Sequence, residues 1–289
     1  MKKIRFFSSY CSDQQIYSNI MSSWANGDKI YKDLYISDPT EDYDYAVCFN
    51  VARPDKKIPI NNTIGFSHEP RISLERHGLA EYSKFVGENF GEYYISNTED
   101  LPKNFISDFT YVCPFEYGKS RDLIYPHDGK ISMILSLSKF MPGHVLRHDL
   151  LNRILKTDMD IHFYANGLNK IYKDERVKEF DWSVFNIPYE RYKAQIVIEN
   201  IIDESWATEK LINCIIKGTI PIYYGSRKIA SRFYGNEISL LGNDIEEDIE
   251  KISIVYNNLI YDKNLAQKAK NILYSEINLL EFLHKKFNQ

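Results

Sequence analysis

The sequence has few cysteines, no excess of positive charge and no long apolar segment. Its four cysteines form no C-x-x-C pair and have no histidine at metal-binding spacing, so neither a disulfide framework nor a zinc site is predicted. Forty acidic and 36 basic side chains give a net charge of -4, which offers no basic surface to a nucleic-acid backbone. The apolar runs fall far short of the roughly 20 residues that span a bilayer, and no secretory leader is evident. These absences predict a cytoplasmic protein with no nucleic-acid partner and no transmembrane segment.

Short apolar runs alternate with amphipathic segments along the chain, which is typical of an α/β fold. The 289 residues predict about two domains, which we place at 1–124 and 125–289. The polar stretch 117–130 is the predicted linker, and the C-terminal helices could pack back on the first domain. Strands are predicted at 4–7, 45–49, 63–66, 110–114, 131–135, 160–164, 194–198 and 219–223. Helices are predicted from about 12, from about 143, at 208–217 and at 262–287.

Polar side chains are dense in the segment 199–210, between a predicted strand and the helix that follows it. Ligands of open α/β sheets bind at such strand ends. Thr208 and Glu209 could simply cap the helix, a structural role worth about 0.5–2 kcal/mol. Lys210 lies in the same first turn, where the helix dipole disfavours a cation, so it requires an anion such as Glu209 or a phosphate. The segment therefore indicates either a capped helix start or a phosphate site.

Several residue types follow one another in a specific order over the stretch from about 130 to 225. They are Tyr192-Lys193, Glu199-Asn200, Thr208-Glu209-Lys210-Leu211 and Gly218-Thr219-Ile220-Pro221-Ile222-Tyr223-Tyr224-Gly225. This order resembles the donor-binding signature of the α-1,3/4-fucosyltransferases, glycosyltransferase family ten. The resemblance implies the GT-B fold, in which two Rossmann-like domains face each other across a cleft and the second domain holds GDP-fucose.

The resemblance implies donor-binding roles for Arg147, Asn200, Trp206, Glu209 and Lys210. Glu209 would face the sugar hydroxyls, and Lys210 would face the diphosphate. Arg147 matches an arginine that reaches the diphosphate, the alternative being a solvated helix residue paired with a nearby acid. Trp206 stands where bacterial relatives have tyrosine, and it could pack on the nucleotide but cannot accept a hydrogen bond. Two preorganised cations would stabilise the departing GDP without a metal ion.

An inverting transfer also needs a base that takes the proton from the acceptor hydroxyl. Glu69 follows the predicted strand 63–66 and is held by Pro70, and it matches the place of the family's catalytic glutamate, although the residues around it differ from the family pattern. In the alternative, Glu69 forms a surface ion pair with Arg71 or Arg76. His68 is a second candidate base, since histidine titrates near neutral pH.

Two Asp-x-Asp pairs could be taken for the metal-binding pair of many sugar transferases, which follows a strand. Asp42-Tyr43-Asp44 and Asp158-Met159-Asp160 both precede their predicted strands, so we expect their carboxylates to cap those strands or to be hydrated at the strand starts. No metal site and no required cofactor are therefore predicted, although Mg²⁺ or Mn²⁺ held by dispersed oxygen ligands stays open.

The sequence and the resemblance together predict a metal-independent, inverting glycosyltransferase that moves fucose from GDP-fucose to a hydroxyl of a glycan acceptor, with α-1,3 linkage. In this hypothesis the first domain holds the acceptor and supplies Glu69. The expected setting is a bacterial or viral enzyme of protein glycosylation or glycan biosynthesis. Two alternatives stay open. The donor could be another GDP-sugar, since no residue reads the methyl group of fucose, or the chain could be a catalytically silent sugar-binding module.

Overall fold

A computed structural model describes residues 1–114, 117, 120–123, 125–181, 186–242 and 244–289. The chain divides into two compact units. The first unit comprises Met1–Ser120, Asp203–Glu209 and Tyr274–Gln289, and the second comprises Arg121–Ile202 and Lys210–Leu273. Residue 124, where we placed the domain boundary, and part of the predicted linker 117–130 lie outside the described residues.

The first unit is built on a seven-stranded sheet. Its strands are β1 (Lys2–Ser8), β2 (Ile30–Tyr31), β3 (Leu34–Ile36), β4 (Tyr45–Phe49), β5 (Thr63–Phe66), β6 (Glu92–Ile95) and β7 (Phe105–Ser107). They lie in the order β2-β3-β1-β4-β5-β6-β7, and all neighbouring pairs are parallel except β2 with β3. The strands β4 and β5 are buried almost throughout, which explains their unbroken apolar sequences.

Three helices of the first unit follow strands of this sheet or lead into them. They are α1 (Asp13–Ser23), α2 (Arg71–Arg76) and α3 (Leu79–Asn89). Helix α1 begins where expected, because the side chain of Ser12 accepts a hydrogen bond from the backbone N–H of Gln15. The prediction of a strand at 110–114 is wrong, since the last strand of the sheet lies at β7. The Tyr111 carbonyl instead accepts a hydrogen bond from the ring of His68, so this backbone packs as a loop against the end of β5.

The second unit contains a five-stranded sheet in which every neighbouring pair is parallel. Its strands are β8 (Gly129–Ile134), β9 (Ile161–Ala165), β10 (Val177–Glu179), β11 (Tyr192–Ile198) and β12 (Ile220–Tyr224). The following helices, in chain order, are α4 (Pro142–Ile154), α5 (Ile187–Glu190), α6 (Glu209–Lys217), α7 (Arg227–Tyr234), α8 (Ile245–Asn257) and α9 (Lys263–Glu276). The first residue of α6 and the last three residues of α9 are counted with the first unit. No helix in the described part of the chain combines the length and apolar character needed to cross a bilayer.

The strand order of the second sheet fixes where a ligand can bind. The sheet runs β10-β9-β8-β11-β12, so its strands, counted along the chain, lie in the order 3-2-1-4-5. This is the Rossmann order, in which the chain leaves the two central strands toward opposite sides. The carboxyl ends of β8 and β11 therefore flank the switch point, where α/β sheets of this kind bind their ligands.

The last stretch of the chain is two helices rather than the one predicted at 262–287. Helix α9 ends at Glu276, and α10 spans Leu279–Lys286. Between them, the side chain of Asn278 accepts a hydrogen bond of 3.0 Å from the backbone N–H of Glu281 and begins a new helix. Helix α10 packs on the first sheet, where Phe282 contacts the rings of Phe66 and Tyr94.

Candidate functional site

A cavity of about 490 Å³ lies at the switch point of the second sheet. Its lining comes from the end of β8 and the loop after it, the first two turns of α4, the first turn of α6, and residues just beyond β9, β10 and β11. The lining residues are Ile134, Leu135, Ser136, Leu137, His144, Arg147, Asn166, Phe180, Asn200 and Lys210. Three of the predicted donor-binding residues, Arg147, Asn200 and Lys210, are therefore brought together in one cavity of a size suited to a small-molecule ligand.

Arg147 is buried rather than solvated, because only 4% of its surface is exposed. Its guanidinium donates hydrogen bonds to the Ile198 carbonyl at the end of β11 and, over 3.0 Å, to the Asn200 side-chain oxygen. These contacts hold the guanidinium at the cavity wall. A guanidinium fixed in this way is suited to binding an anion, because little conformational freedom is lost on binding.

Gly143 allows the N-terminus of α4 to approach the end of β11. Its backbone N–H donates a hydrogen bond of 2.9 Å to the Asn200 carbonyl. A Cβ atom at this position would overlap the Glu199 carbonyl oxygen, so only glycine fits. The close approach places the positive end of the helix dipole beside Asn200 and the cavity.

Two cations and a histidine line the cavity together. Lys210 is the second residue of α6 and is partly exposed, whereas His144 in the first turn of α4 is buried. Burial first, and then the positive charges of Arg147, Lys210 and His148, lower the pKa of His144 to about 4. A cavity that disfavours a further positive charge in this way favours an anionic ligand.

In the first unit, the predicted base lies in a loop that follows β5. The loop is held by Asn50, which follows β4 and has a left-handed backbone with a φ of 58°. The side-chain oxygen of Asn50 accepts hydrogen bonds from the backbone N–H of His68 over 2.9 Å and of Glu69 over 3.2 Å. The Asn50 carbonyl in turn accepts a hydrogen bond of 2.7 Å from the Tyr93 hydroxyl. One buried amide thus fixes the backbone that carries Glu69.

His68 is a poor alternative base in this arrangement. Its Nε2 lies 2.6 Å from the Tyr111 carbonyl oxygen, which can only accept, so Nε2 carries the proton. Burial lowers the pKa of His68 to about 4, with smaller opposing effects from that hydrogen bond and from the Glu209 carboxylate. A neutral ring with so low a pKa takes up a proton only weakly near pH 7. Glu69 is therefore the better candidate of the two.

Trp206 and Glu209, although predicted to contact the donor, belong to the first unit. Trp206 is 1% exposed, and its indole N–H donates a hydrogen bond of 3.1 Å to the His68 carbonyl. The indole therefore supports the loop that carries Glu69. Glu209 lies near enough to His68 to act on its pKa. The predicted residues thus form two groups, with Glu69, Trp206 and Glu209 in the first unit and Arg147, Asn200 and Lys210 in the second.

Sequence reasoning missed His144 and Asn50. The only local signal for His144 is its place after Pro142 and Gly143 at a helix start. Asn50 directly follows a predicted strand, a position too common among loop residues to single it out. Arg71, offered as a surface partner of Glu69, donates a hydrogen bond of 2.8 Å to Glu75.

Metal-ligating residue types do not gather in the described part of the chain. No group of three or more histidine, cysteine, aspartate or glutamate side chains there could hold a metal ion. Of the two Asp-x-Asp pairs, Asp42 forms an ion pair with Lys56, and Asp160 lies 3.2 Å from the ring of His162.

Comparison with known proteins bears on the resemblance. No protein-family profile matches the chain. It is 24% identical over 272 residues to the "Putative fucosyltransferase" of Acanthamoeba polyphaga mimivirus. That match covers 84% of this chain and 41% of the viral protein. It is also 24% identical over 177 residues to alpha-(1,3)-fucosyltransferase B of Drosophila melanogaster, with 59% and 37% of the two chains covered. The chain thus spans less than half the length of these curated relatives.

Among solved structures, the chain is similar to an alpha1,3-fucosyltransferase crystallised with GDP-fucose. The TM-score is 0.56 at 14% identity, and the match covers 100% of this chain and 90% of that one. The two relatives confirm the resemblance to fucosyltransferases that the sequence predicts, and the structural match confirms the GT-B fold.

Proposed function

We propose that the chain is an inverting glycosyltransferase that transfers fucose from GDP-fucose to a hydroxyl of a glycan acceptor, with α-1,3 linkage. The observation that carries the proposal is the cavity in which Arg147, Asn200 and Lys210 meet at the switch point of the second sheet. The resemblance to fucosyltransferases supports fucose as the sugar and GDP as its carrier. The cytoplasmic setting stays a prediction from the sequence.

The cavity would hold the diphosphate of the donor. Arg147 offers a guanidinium that its hydrogen bonds to Ile198 and Asn200 hold in place, and Lys210 offers an ammonium from the first turn of α6. When the bond between the anomeric carbon and the β-phosphate oxygen breaks, GDP leaves with the electron pair and gains negative charge. Fixed positive groups stabilise that charge more in the transition state than in the bound donor, which raises the rate.

Glu69 would act as the general base. Its carboxylate accepts the proton of the acceptor hydroxyl while the hydroxyl oxygen forms the new bond to the anomeric carbon. Because attack comes from the side opposite the leaving diphosphate, the configuration at that carbon is inverted. The hydrogen bonds from His68 and Glu69 to Asn50 fix the backbone of the base, and such positioning adds to the rate.

The test of the proposal is a panel of sugar nucleotides. We expect calorimetry to show binding of GDP and GDP-fucose with little binding of UDP, and fucose transfer when a glycan array supplies the acceptor. Transfer from another GDP-sugar but not from GDP-fucose would contradict the choice of sugar. Binding of a donor with neither sugar transfer nor slow hydrolysis would instead indicate a catalytically silent sugar-binding module.

A further inference from the structure

His144 carries an unsatisfied polar group in the wall of the cavity. The residue lies in the first turn of α4 and is 6% exposed, and its Nδ1 is buried without a hydrogen-bond partner among the described residues. Its ring contacts Phe140 edge to face, with the ring centres 4.6 Å apart. A buried polar atom left unpaired is costly, which points to a partner from outside the described residues.

The charged and titratable groups that act on His144 come from two helices. Arg147 and His148 lie on its own helix, and Lys210 lies on α6. His148 is tied to the chain, since its Nε2 lies 3.0 Å from the Ser136 carbonyl oxygen. The remaining two groups, Arg147 and Lys210, line the same cavity as His144. The protein therefore places a neutral imidazole in the same cavity as two basic side chains.

We propose that His144 binds the diphosphate of the sugar nucleotide directly and takes up a proton as the anion enters the cavity. The inference rests on the proposed donor site. A bound diphosphate diester brings two negative charges, which offset the charges of Arg147 and Lys210. The repulsion from these two cations, which adds to the larger effect of burial, is then removed, and a hydrogen bond from the ring to a phosphoryl oxygen favours the protonated form, so the imidazolium becomes a third positive group on the diphosphate.

Proton uptake on binding couples affinity to pH. Because the complex holds one more proton than the free protein, affinity rises as the pH falls. The affinity depends on pH only in the range between two values, the pKa of His144 in the free protein, which is about 4, and its raised pKa in the complex. Within that window the affinity changes by up to about tenfold per pH unit.

The experiment is calorimetric binding of sugar nucleotides between pH 5.5 and pH 8. GDP-fucose, UDP-glucose and ADP-ribose are suitable probes, because a diphosphate diester does not titrate in this range. For the probe that binds best, we expect the wild-type affinity to rise several-fold from pH 7.5 to pH 5.5. The rise should be lost in His144→Gln, whose amide can form hydrogen bonds but cannot be protonated. His77→Gln, at an exposed position, should keep the rise.

Equal pH dependence in the wild type and in His144→Gln would overturn the role of His144 while leaving the donor site in place. Binding of none of the probes at any pH would overturn both proposals. A second measurement, made on the wild type, keeps the inference testable if the His144 variant does not fold. Calorimetry of the wild type at pH 6 in two buffers of different ionisation enthalpy counts protons directly, and a count of zero would contradict the inference.

Discussion

The guanidinium of Arg147 donates a hydrogen bond of 3.0 Å to the side-chain oxygen of Asn200, which lies 53 residues further along the chain. The bond joins the first helix after β8 to the end of β11, the two strands that flank the switch point. It holds a guanidinium, which carries several N–H donors in one plane, at the wall of the cavity.

Arg147→Lys should weaken GDP binding by about ten- to a hundredfold, because an ammonium cannot replace a planar fork that contacts both the chain and the phosphate. Calorimetry with GDP measures the change. Arg153→Lys is the matched control, since Arg153 lies in the last turn of the same helix and forms an exposed ion pair with Glu246. Equal affinities in all three proteins would exclude Arg147 from the donor site.

Glu69→Gln should leave GDP affinity unchanged and lower kcat by about 10²–10⁴, because the amide keeps the shape of the side chain but cannot accept the acceptor proton. Initial rates with GDP-fucose and saturating acceptor provide the test. Glu75→Gln, six residues further on and paired with Arg71, should retain full activity. Full turnover in the Glu69 variant would remove this carboxylate from the mechanism.

Asn50→Gly should lower the free energy of unfolding by about 1–2 kcal/mol and also reduce kcat, because two backbone N–H groups of the Glu69 loop lose their acceptor. Glycine tolerates the left-handed backbone at this position, whereas Asn50→Ala should lose roughly 1 kcal/mol more. Urea denaturation and rate measurements separate the two effects. If the glycine variant is stable and fully active, the amide does not position the base.

Gly143→Ala should destabilise the protein by about 2 kcal/mol or more and reduce GDP affinity, since the added methyl group overlaps the Glu199 carbonyl and must displace the start of α4. Gly87→Ala in α3 is the control, because the Cβ there would lie 3.4 Å from Pro102, at contact distance. It should be neutral or stabilising by up to about 1 kcal/mol. Thermal unfolding with and without GDP distinguishes the two variants.

Stability should fall as the pH drops from 7 to 4.5. His68 and His144 both have a pKa of about 4 in the folded protein, below the ordinary value of 6.5. The unfolded chain therefore binds more protons in this window, and the free energy of unfolding falls by roughly 2 kcal/mol for each of the two histidines. Urea denaturation at the two pH values measures the loss, which should be smaller in His68→Gln. A wild type that is more stable at pH 4.5 would contradict the prediction.

The sequence predicted the local elements well where a buried parallel strand makes an unbroken apolar run. The strands at 45–49 and 63–66 have the predicted bounds, and the helix at 208–217 begins one residue later than expected. The strand at 110–114 was predicted wrongly, because its apolar side chains are also compatible with a buried loop. In the structure this segment is a buried loop, and its Tyr111 carbonyl accepts a hydrogen bond from His68.

The candidate site was predictable in part. The resemblance to the fucosyltransferases pointed to Arg147, Asn200 and Lys210, and the structure places all three in one cavity. The role of Asn50 depends on a contact across 19 residues with the backbone of Glu69, and local sequence carries no signal for such a contact. For His144 the evidence is its burial and an Nδ1 that has no hydrogen-bond partner among the described residues, and neither can be read from the sequence.

The first unit is assembled from three separate stretches of the chain, one of them only seven residues long, Asp203–Glu209. A gene fragment that stopped near residue 124 would omit Trp206, whose indole holds the His68 carbonyl, and α10, whose Phe282 covers Phe66. Chimeras with related proteins therefore cannot keep this unit intact with a single crossover. An exchange that preserves the loop carrying Glu69 must carry all three stretches together.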